Sequence, residues 1–145
     1  MTANTTPAST HDIVPDAPTT PPRLLVPGLI SGAIAAVAAS ATVLAAHAAG
    51  EDVAVGGEQI PVAGFAQFVL VGALIGIALA RVFSRRAHRP RSTFVRTTVV
   101  LTALSIVPDL VVEASSGSKL VLILTHLIAA AIIIPTLAAR LPQHA

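Results

Sequence analysis

Four long apolar runs, separated by short polar stretches, dominate the pattern of hydrophobic and polar residues along the chain. The runs cover about residues 24–49, 62–83, 94–112 and 120–141. A helix needs ~20 residues, at 1.5 Å per residue, to cross ~30 Å of hydrocarbon. Open strands would leave backbone groups unpaired in lipid. The pattern therefore predicts an all-α membrane protein in which four transmembrane helices form an up-down bundle.

The segment before the first run, residues 1–22, has a different composition. It holds six Thr and five Pro, with few large apolar side chains. Such a segment cannot bury enough apolar surface to become ordered. It also lacks the basic start of a secretion signal, and Asp12 and Asp16 precede the first apolar run. We therefore expect a disordered tail that stays on the mature protein, followed by a four-helix domain at residues 23–145.

The overall composition supports the membrane class. Of the 145 residues 54% are apolar and 11% are charged, and the mean hydropathy is +0.81. A soluble domain usually has about 25% charged residues. Cys, Trp and Tyr are absent, so thiolate chemistry is excluded and nucleic acid has no aromatic platform to stack on. No nucleotide-binding or serine-hydrolase motif occurs, and we expect no cofactor.

The charges are distributed asymmetrically between the connections. The stretch "ARVFSRRAHRPRSTFVR", which joins the second and third runs and includes the end of one and the start of the other, carries six arginines: Arg81, Arg85, Arg86, Arg89, Arg91 and Arg96. The other two connections carry Glu51, Asp52, Glu58 and Glu113 against Lys119. Short loops rich in Arg stay in the cytoplasm. This predicts a plasma (inner) membrane protein with both termini cytoplasmic. The arginines could also bind anionic lipid headgroups or nucleic acid, but their role in setting the membrane topology already explains all six.

Small residues follow one ridge of the second helix. Gly64, Gly72, Gly76 and Ala80 lie along it, together with the larger Phe68, at intervals of four. Small residues at this spacing let helix backbones approach closely. The ridge therefore predicts either packing inside the bundle or a homo-oligomer contact through Gly72 and Gly76.

Polar residues share one face of the third helix. This polar stripe consists of Thr98, Thr102, Ser105 and Asp109, at steps of four, three and four. Hydroxyls can bond carbonyls of their own helix, whereas a carboxylate cannot, and polar residues at this depth nearly always face the bundle interior. Pro108 deprives the Leu104 carbonyl of its donor, which loosens the helix beside Asp109.

The predicted topology brings Asp109 close to His126 of the fourth helix, with an axial offset of roughly 5 Å. A carboxylate that accepts from one imidazole nitrogen fixes the tautomer and leaves the other nitrogen free. Asp109 and His126 are thus a candidate acid–base pair, with Ser105 in support. The alternative is structural: Asp109 caps its helix at the interface, and His126 bonds Thr125 or a backbone carbonyl.

Three further residues are candidates for binding, because they lie toward the same, extracytoplasmic half. They are His47 in the first helix, Gln67 in the second, and Glu58 at the rim. Together they favour a site that opens outward or into the outer leaflet. No metal is expected, because no helix carries a His-x-x-x-His or His-x-x-Glu pair and the ligands would have to come from three helices.

Four features of the sequence resemble those of a known family: the segments "SIVPDL" (residues 105–110) and "HLIAAAIIIP" (residues 126–135), the "IPVAGF" entry to the second helix, and the Arg-rich connection. The family consists of small four-helix bacterial membrane proteins of unknown function. The resemblance covers residues 25–141. It implies a four-helix membrane protein and brings no activity with it.

Three functions follow from these observations. The first is an acid–base enzyme of isomerase or cyclase type, which acts on a lipophilic small molecule at Asp109 and His126. The second is a small proton- or cation-coupled transporter subunit, which would have to dimerise. The third is a structural or partner-binding envelope protein without chemistry. In each case membrane lipids surround the helices.

Overall fold

The computed structural model describes residues 23–142, and within this range the chain forms four α-helices and one two-stranded sheet. The helices are α1 (Leu25–Ala48), α2 (Val62–Arg86), α3 (Pro90–Val111) and α4 (Ser116–Ala138). The strands β1 (Ala54–Val55) and β2 (Glu58–Gln59) lie between α1 and α2. The predicted tail at residues 1–22 lies outside the described residues. The prediction of an all-helical bundle with four long apolar helices is confirmed.

The helices pack so that α1 contacts both α2 and α4, while α3 lies against α4 and, less extensively, against α2. Two clusters of buried residues mark the ends of the bundle. Leu24, Phe94 and Leu141 belong to one cluster, so both described chain ends and the α2–α3 connection lie at the same end. We call this the arginine end. Val43 and Val121 belong to the other cluster, at what we call the hairpin end.

Two helices begin four residues before their apolar runs. Pro90 occupies the first position of α3, where its missing N–H is not needed and its fixed φ suits a helix. Ser115 caps α4 by accepting a hydrogen bond from the Ser118 N–H at 2.9 Å. Both starts are polar or basic, so hydropathy alone does not reveal them.

The strand pair is a tight hairpin that the apolar runs did not predict. Ala54 pairs with Gln59 and Val55 with Glu58 in antiparallel register. The turn residues Gly56 and Gly57 have φ of 60° and 83°. Positive φ at both central residues is the requirement of a type I′ turn, which side chains other than Gly, Asn and Asp rarely meet. The two glycines of "VGGE" are therefore the feature of the sequence that indicates a hairpin turn.

Ser118 fixes the hairpin to α4. Its side chain is buried, and its Oγ donates to the Asp52 carbonyl and accepts from the Ala54 N–H, both at 3.3 Å. The Gly56 N–H also donates to the Glu113 carbonyl at 2.9 Å. The hairpin is therefore held by the end of α3 and the start of α4, far from it in sequence.

Small residues allow close helix contacts inside the bundle. A Cβ on Gly32 of α1 would lie 2.7 Å from the Ala73 Cβ of α2. A Cβ on Gly76 would meet Leu137 of α4 at 3.4 Å, so this glycine packs within the chain. Gly72 differs, because a Cβ there would meet no atom within 4 Å. The predicted ridge is thus divided between an internal contact and open space.

Candidate functional site

A cavity of about 750 Å³ lies between α2, α3 and α4. Its walls are mostly aliphatic and aromatic. The polar side chains in them come from α3 and α4: Thr98, Thr102, Ser105, Asp109, Thr125 and His126. Largely apolar pockets with few polar groups are typical of small-molecule sites.

The polar stripe of α3 lines this cavity over its full length. Its hydroxyls donate to carbonyls of their own helix: Thr98 Oγ1 to Phe94 O at 2.8 Å, Thr102 Oγ1 to Thr98 O at 2.9 Å, and Ser105 Oγ to Thr102 O at 2.9 Å. Each hydroxyl proton is thereby used, and each oxygen keeps lone pairs. The stripe consequently offers acceptors to whatever enters the cavity.

Asp109 and His126 meet across the contact between α3 and α4. The distance from Asp109 Oδ2 to His126 Nδ1 is 3.0 Å, with 14% and 37% of the respective side chains exposed. His126 Nδ1 is also 3.0 Å from the Leu122 carbonyl, one turn earlier in α4. Asp109 Oδ2 is buried and has no properly aligned hydrogen-bond partner among residues 23–142. His126 Nδ1 therefore lies 3.0 Å from two acceptors, but only the Leu122 carbonyl is aligned to form a hydrogen bond with it.

This geometry assigns the imidazole proton. An unprotonated Nδ1 would point its lone pair at the carbonyl oxygen of Leu122, which is unfavourable at hydrogen-bond distance. Nδ1 therefore carries hydrogen and donates it to the Leu122 carbonyl, with Asp109 Oδ2 beside it. Nε2 forms no hydrogen bond within the described part of the chain. In neutral His126 this nitrogen is a free base.

The last turn of α3 is held in place although Pro108 interrupts it. Pro108 has no N–H to donate to the Leu104 carbonyl. The turn is closed by the Val112 N–H, which donates to Pro108 O at 2.9 Å, and by Lys119 Nζ, which donates to Leu110 O at 2.9 Å. A cation on the terminal carbonyls also suits the helix dipole. Asp109 thus sits on a helix end that α4 anchors.

The structure places Ser105 on the cavity wall with Asp109 and His126, but not the three other candidates. Gln67 is exposed on α2 and is absent from the lining. His47 Nδ1 bonds the Val43 carbonyl at 3.0 Å, and its Nε2 is 3.6 Å from Asp52. Glu58 is exposed in β2. These three belong to the rim of the hairpin end.

Among residues 23–142, no group of three or more His, Asp or Glu side chains is placed to hold a metal ion. Sequence reasoning also missed part of the wall. Val55 and Ile60, at either side of the hairpin turn, also line the cavity. The Gly56–Gly57 turn was the available signal, since it predicts a folded-back segment.

All four helices that the structure describes are long and apolar enough to cross a membrane. Many of their large apolar side chains are exposed, among them Val37, Phe68, Leu104 and Leu120, as lipid contact requires. The class is that of multi-pass membrane proteins.

Within this class, the chain belongs to a family of unknown function, DUF6069, whose model matches residues 19–143. No curated protein and no solved structure matches the chain. Family membership brings no activity with it, so any function has to be argued from the cavity and its polar groups.

Proposed function

We propose that the protein binds a lipophilic small molecule in the cavity and exchanges a proton with it through the Asp109–His126 pair, as an isomerase or cyclase would. The observation that carries the proposal is the buried, unpartnered Asp109 Oδ2, 3.0 Å from His126 Nδ1 in the wall of an apolar cavity. A buried acceptor without a donor is costly to keep. Such a group is more often retained at a functional site than for stability.

The proposed step requires only a base and its orienting partner. His126 Nε2 removes a proton from a C–H bond beside an unsaturated group of the ligand. The electron pair of that bond becomes the shifted double bond, and the π pair of the original double bond accepts the proton from the imidazolium at a second carbon. Composition and oxidation state do not change, so no co-reactant is needed. Asp109 stabilises the imidazolium between the two transfers.

The experiment is proton exchange with heavy water. The protein, purified from cell membranes in mild detergent, is extracted with organic solvent, and lipophilic molecules that co-purify are identified by mass spectrometry. We expect the bound molecule to gain deuterium at carbon when the protein–ligand complex stands in deuterated buffer. Gln67→Ala, on the exposed side of α2, is the control variant and should exchange like the wild type. A bound molecule that gains no deuterium at carbon contradicts the acid–base proposal.

We also propose that the arginine end faces the cytoplasm at the plasma membrane of a bacterium, with both termini inside. The six arginines between the last two turns of α2 and the first two turns of α3 are all exposed at this end. Among residues 23–142, the hairpin end carries acidic side chains and only one lysine or arginine, Lys119, so this end is poor in basic residues. A polar site next to the hairpin would then lie in the outer half of the membrane.

Single cysteines test the orientation without any background, because the chain has none of its own. Ser116→Cys marks the exposed start of α4 at the hairpin end, and Ser92→Cys marks the exposed start of α3 at the arginine end. We expect a membrane-impermeant maleimide to label only the Ser116→Cys variant in intact cells. Both variants should be labelled after the membrane is permeabilised. The reverse pattern in intact cells contradicts the proposed orientation.

A further inference from the structure

The cavity extends along most of α3. Its α3 wall begins at Phe94, near the arginine end, and reaches Asp109, near the hairpin end. Fifteen residues of helix, at 1.5 Å per residue, span about 22 Å. Beyond Asp109 and His126, the polar groups along this length are hydroxyls already bonded to the backbone. The space thus suits an extended chain with one polar end.

The cavity opens sideways, between α2 and α3. Several residues that line it are also strongly exposed: Phe68, Val71, Ile75 and Leu101. Gly72 lies among them, is exposed, and has open space where a side chain would be. Because these residues are apolar, the opening faces lipid rather than water. We call this opening the lateral mouth.

The hairpin end of the cavity is covered. Val55 and Ile60 of the hairpin segment line the cavity there, and Phe65, at the start of α2, is buried beneath them. Ser118 and the Glu113 carbonyl hold the hairpin in this position. A ligand therefore reaches Asp109 and His126 more directly through the lateral mouth than from the aqueous side.

The polar groups around the pair call for a donor. Asp109 Oδ1 is not buried and forms no hydrogen bond within residues 23–142, neutral His126 presents a lone pair at Nε2, and the Ser105 oxygen accepts. A ligand carboxylate or phosphate would face the Asp109 carboxylate, and no lysine or arginine is among the residues that line the cavity. A hydroxyl or an amine satisfies the same acceptors.

We infer that the ligand is a single-chain amphiphile that enters from the membrane through the lateral mouth. Its headgroup donates an O–H or N–H to Asp109 and His126, and its chain lies along α3 toward Phe94. The inference rests on the proposed function for the location of the site. It adds the shape of the ligand, the chemistry of its headgroup and its route of entry.

The test uses hexadecanol that carries a photoreactive diazirine, with the protein reconstituted in vesicles of phosphatidylethanolamine and phosphatidylglycerol. After illumination, mass spectrometry locates the crosslinks. With the diazirine at the terminal carbon we expect crosslinks at Leu79 and Phe94, and with the diazirine beside the hydroxyl we expect them at Ser105 and Val112. Labelling that is equally strong at Ile34 and Val37, on the exposed face of α1, would overturn the inference.

Headgroup chemistry is tested by competition against the same probe. Unlabelled hexadecanol or hexadecylamine should reduce crosslinking at least tenfold. Stronger competition by hexadecanol indicates a neutral headgroup, and stronger competition by hexadecylamine indicates a cationic one. Hexadecane and palmitate should compete at least tenfold less well. Equal competition by palmitate would contradict the requirement for a donor, and equal competition by hexadecane would show a site without headgroup recognition.

Blocking the lateral mouth tests the route. Gly72→Phe places a ring in open space, and Ile75→Trp enlarges an exposed side chain at the same opening. Each should lower crosslinking at least tenfold with an unchanged melting temperature. Leu74→Phe, exposed on α2 but outside the cavity lining, is the matched control. Undiminished crosslinking in both blocked variants overturns lateral entry. If the probe binds as described but no co-purified molecule exchanges protons, the proposed function fails while this inference stands.

Discussion

Replacing His126 with glutamine is expected to lower the rate of proton exchange into the bound molecule by about 10²–10⁴-fold, the usual contribution of a positioned acid–base group. Glutamine can still donate to the Leu122 carbonyl, but it cannot carry a proton between two carbons. Asp109→Asn should cause a smaller loss, because it leaves the base in place and removes only the charge that stabilises the imidazolium. Deuterium incorporation, followed by mass spectrometry, measures both effects.

The double variant shows whether the two residues act as a unit. Once His126 is glutamine no imidazolium forms, so adding Asp109→Asn should cost almost nothing further, and the losses should not add. Thermal unfolding in detergent is the necessary companion measurement. We expect Asp109→Asn to melt at or above the wild-type temperature, since the buried Oδ2 of the wild type has no aligned donor.

The opposite stability result would be decisive. If Asp109→Asn and His126→Gln each melt several degrees below the wild type, the pair is a structural contact between α3 and α4, because removing one partner of such a contact strands the other. The acid–base proposal would then lose the observation that carries it. The structural interpretation of the pair would take its place.

Gly32→Leu is expected to destabilise the bundle by about 3 kcal/mol, at the upper end of the usual range for overpacking. A Cβ at this position would lie 2.7 Å from the Ala73 Cβ. Each of the two Cβ atoms is bonded directly to the backbone, so no side-chain rotation can move them apart. The helices α1 and α2 must therefore separate. Separation loses the dispersion contacts that hold membrane helices together. Thermal or denaturant unfolding in detergent measures the loss.

Gly72→Leu is the matched control, since it makes the same substitution in the interior of another helix. It meets open space, and Leu is the better helix former by roughly 0.5–1 kcal/mol. We therefore expect a stability equal to or above that of the wild type. Equal destabilisation of both variants would mean that the α1–α2 contact is looser than described.

Much of the bundle could be predicted from hydropathy, and there is a physical reason why the remaining parts could not. The apolar runs located all four helices because lipid demands ~20 apolar residues for each. They missed the first turns of α3 and α4, since Pro90 and Ser115 start those helices through backbone geometry and capping. They also missed the hairpin, whose signal lies in the positive φ of Gly56 and Gly57.

The site shows the same division. Residue spacing gives the height of a side chain along the membrane, and this placed Asp109 beside His126. Spacing alone does not give the rotation of one helix against another. His47, Gln67 and Glu58 were therefore grouped with the pair by height, although they line no part of the cavity. The open space beside Gly72 could not be predicted from the sequence either, because the same spacing of small residues is compatible with a helix contact and with open space.

The attachment of the hairpin to Ser118 has a consequence for biogenesis. A ribosome delivers α1, the hairpin and α2 to the membrane first, but Ser118, which bonds Asp52 and Ala54, lies 64 to 66 residues further along the chain. The Gly56 bond to the Glu113 carbonyl can form once α3 is in place, but the two Ser118 bonds cannot form until α4, the last of the described helices, has inserted. Until then the cavity lacks its α4 wall, and the hairpin lacks the Ser118 bonds that fix it at that end. Closure of this end of the cavity is thus a late step of assembly, and it reports that all four segments are in place.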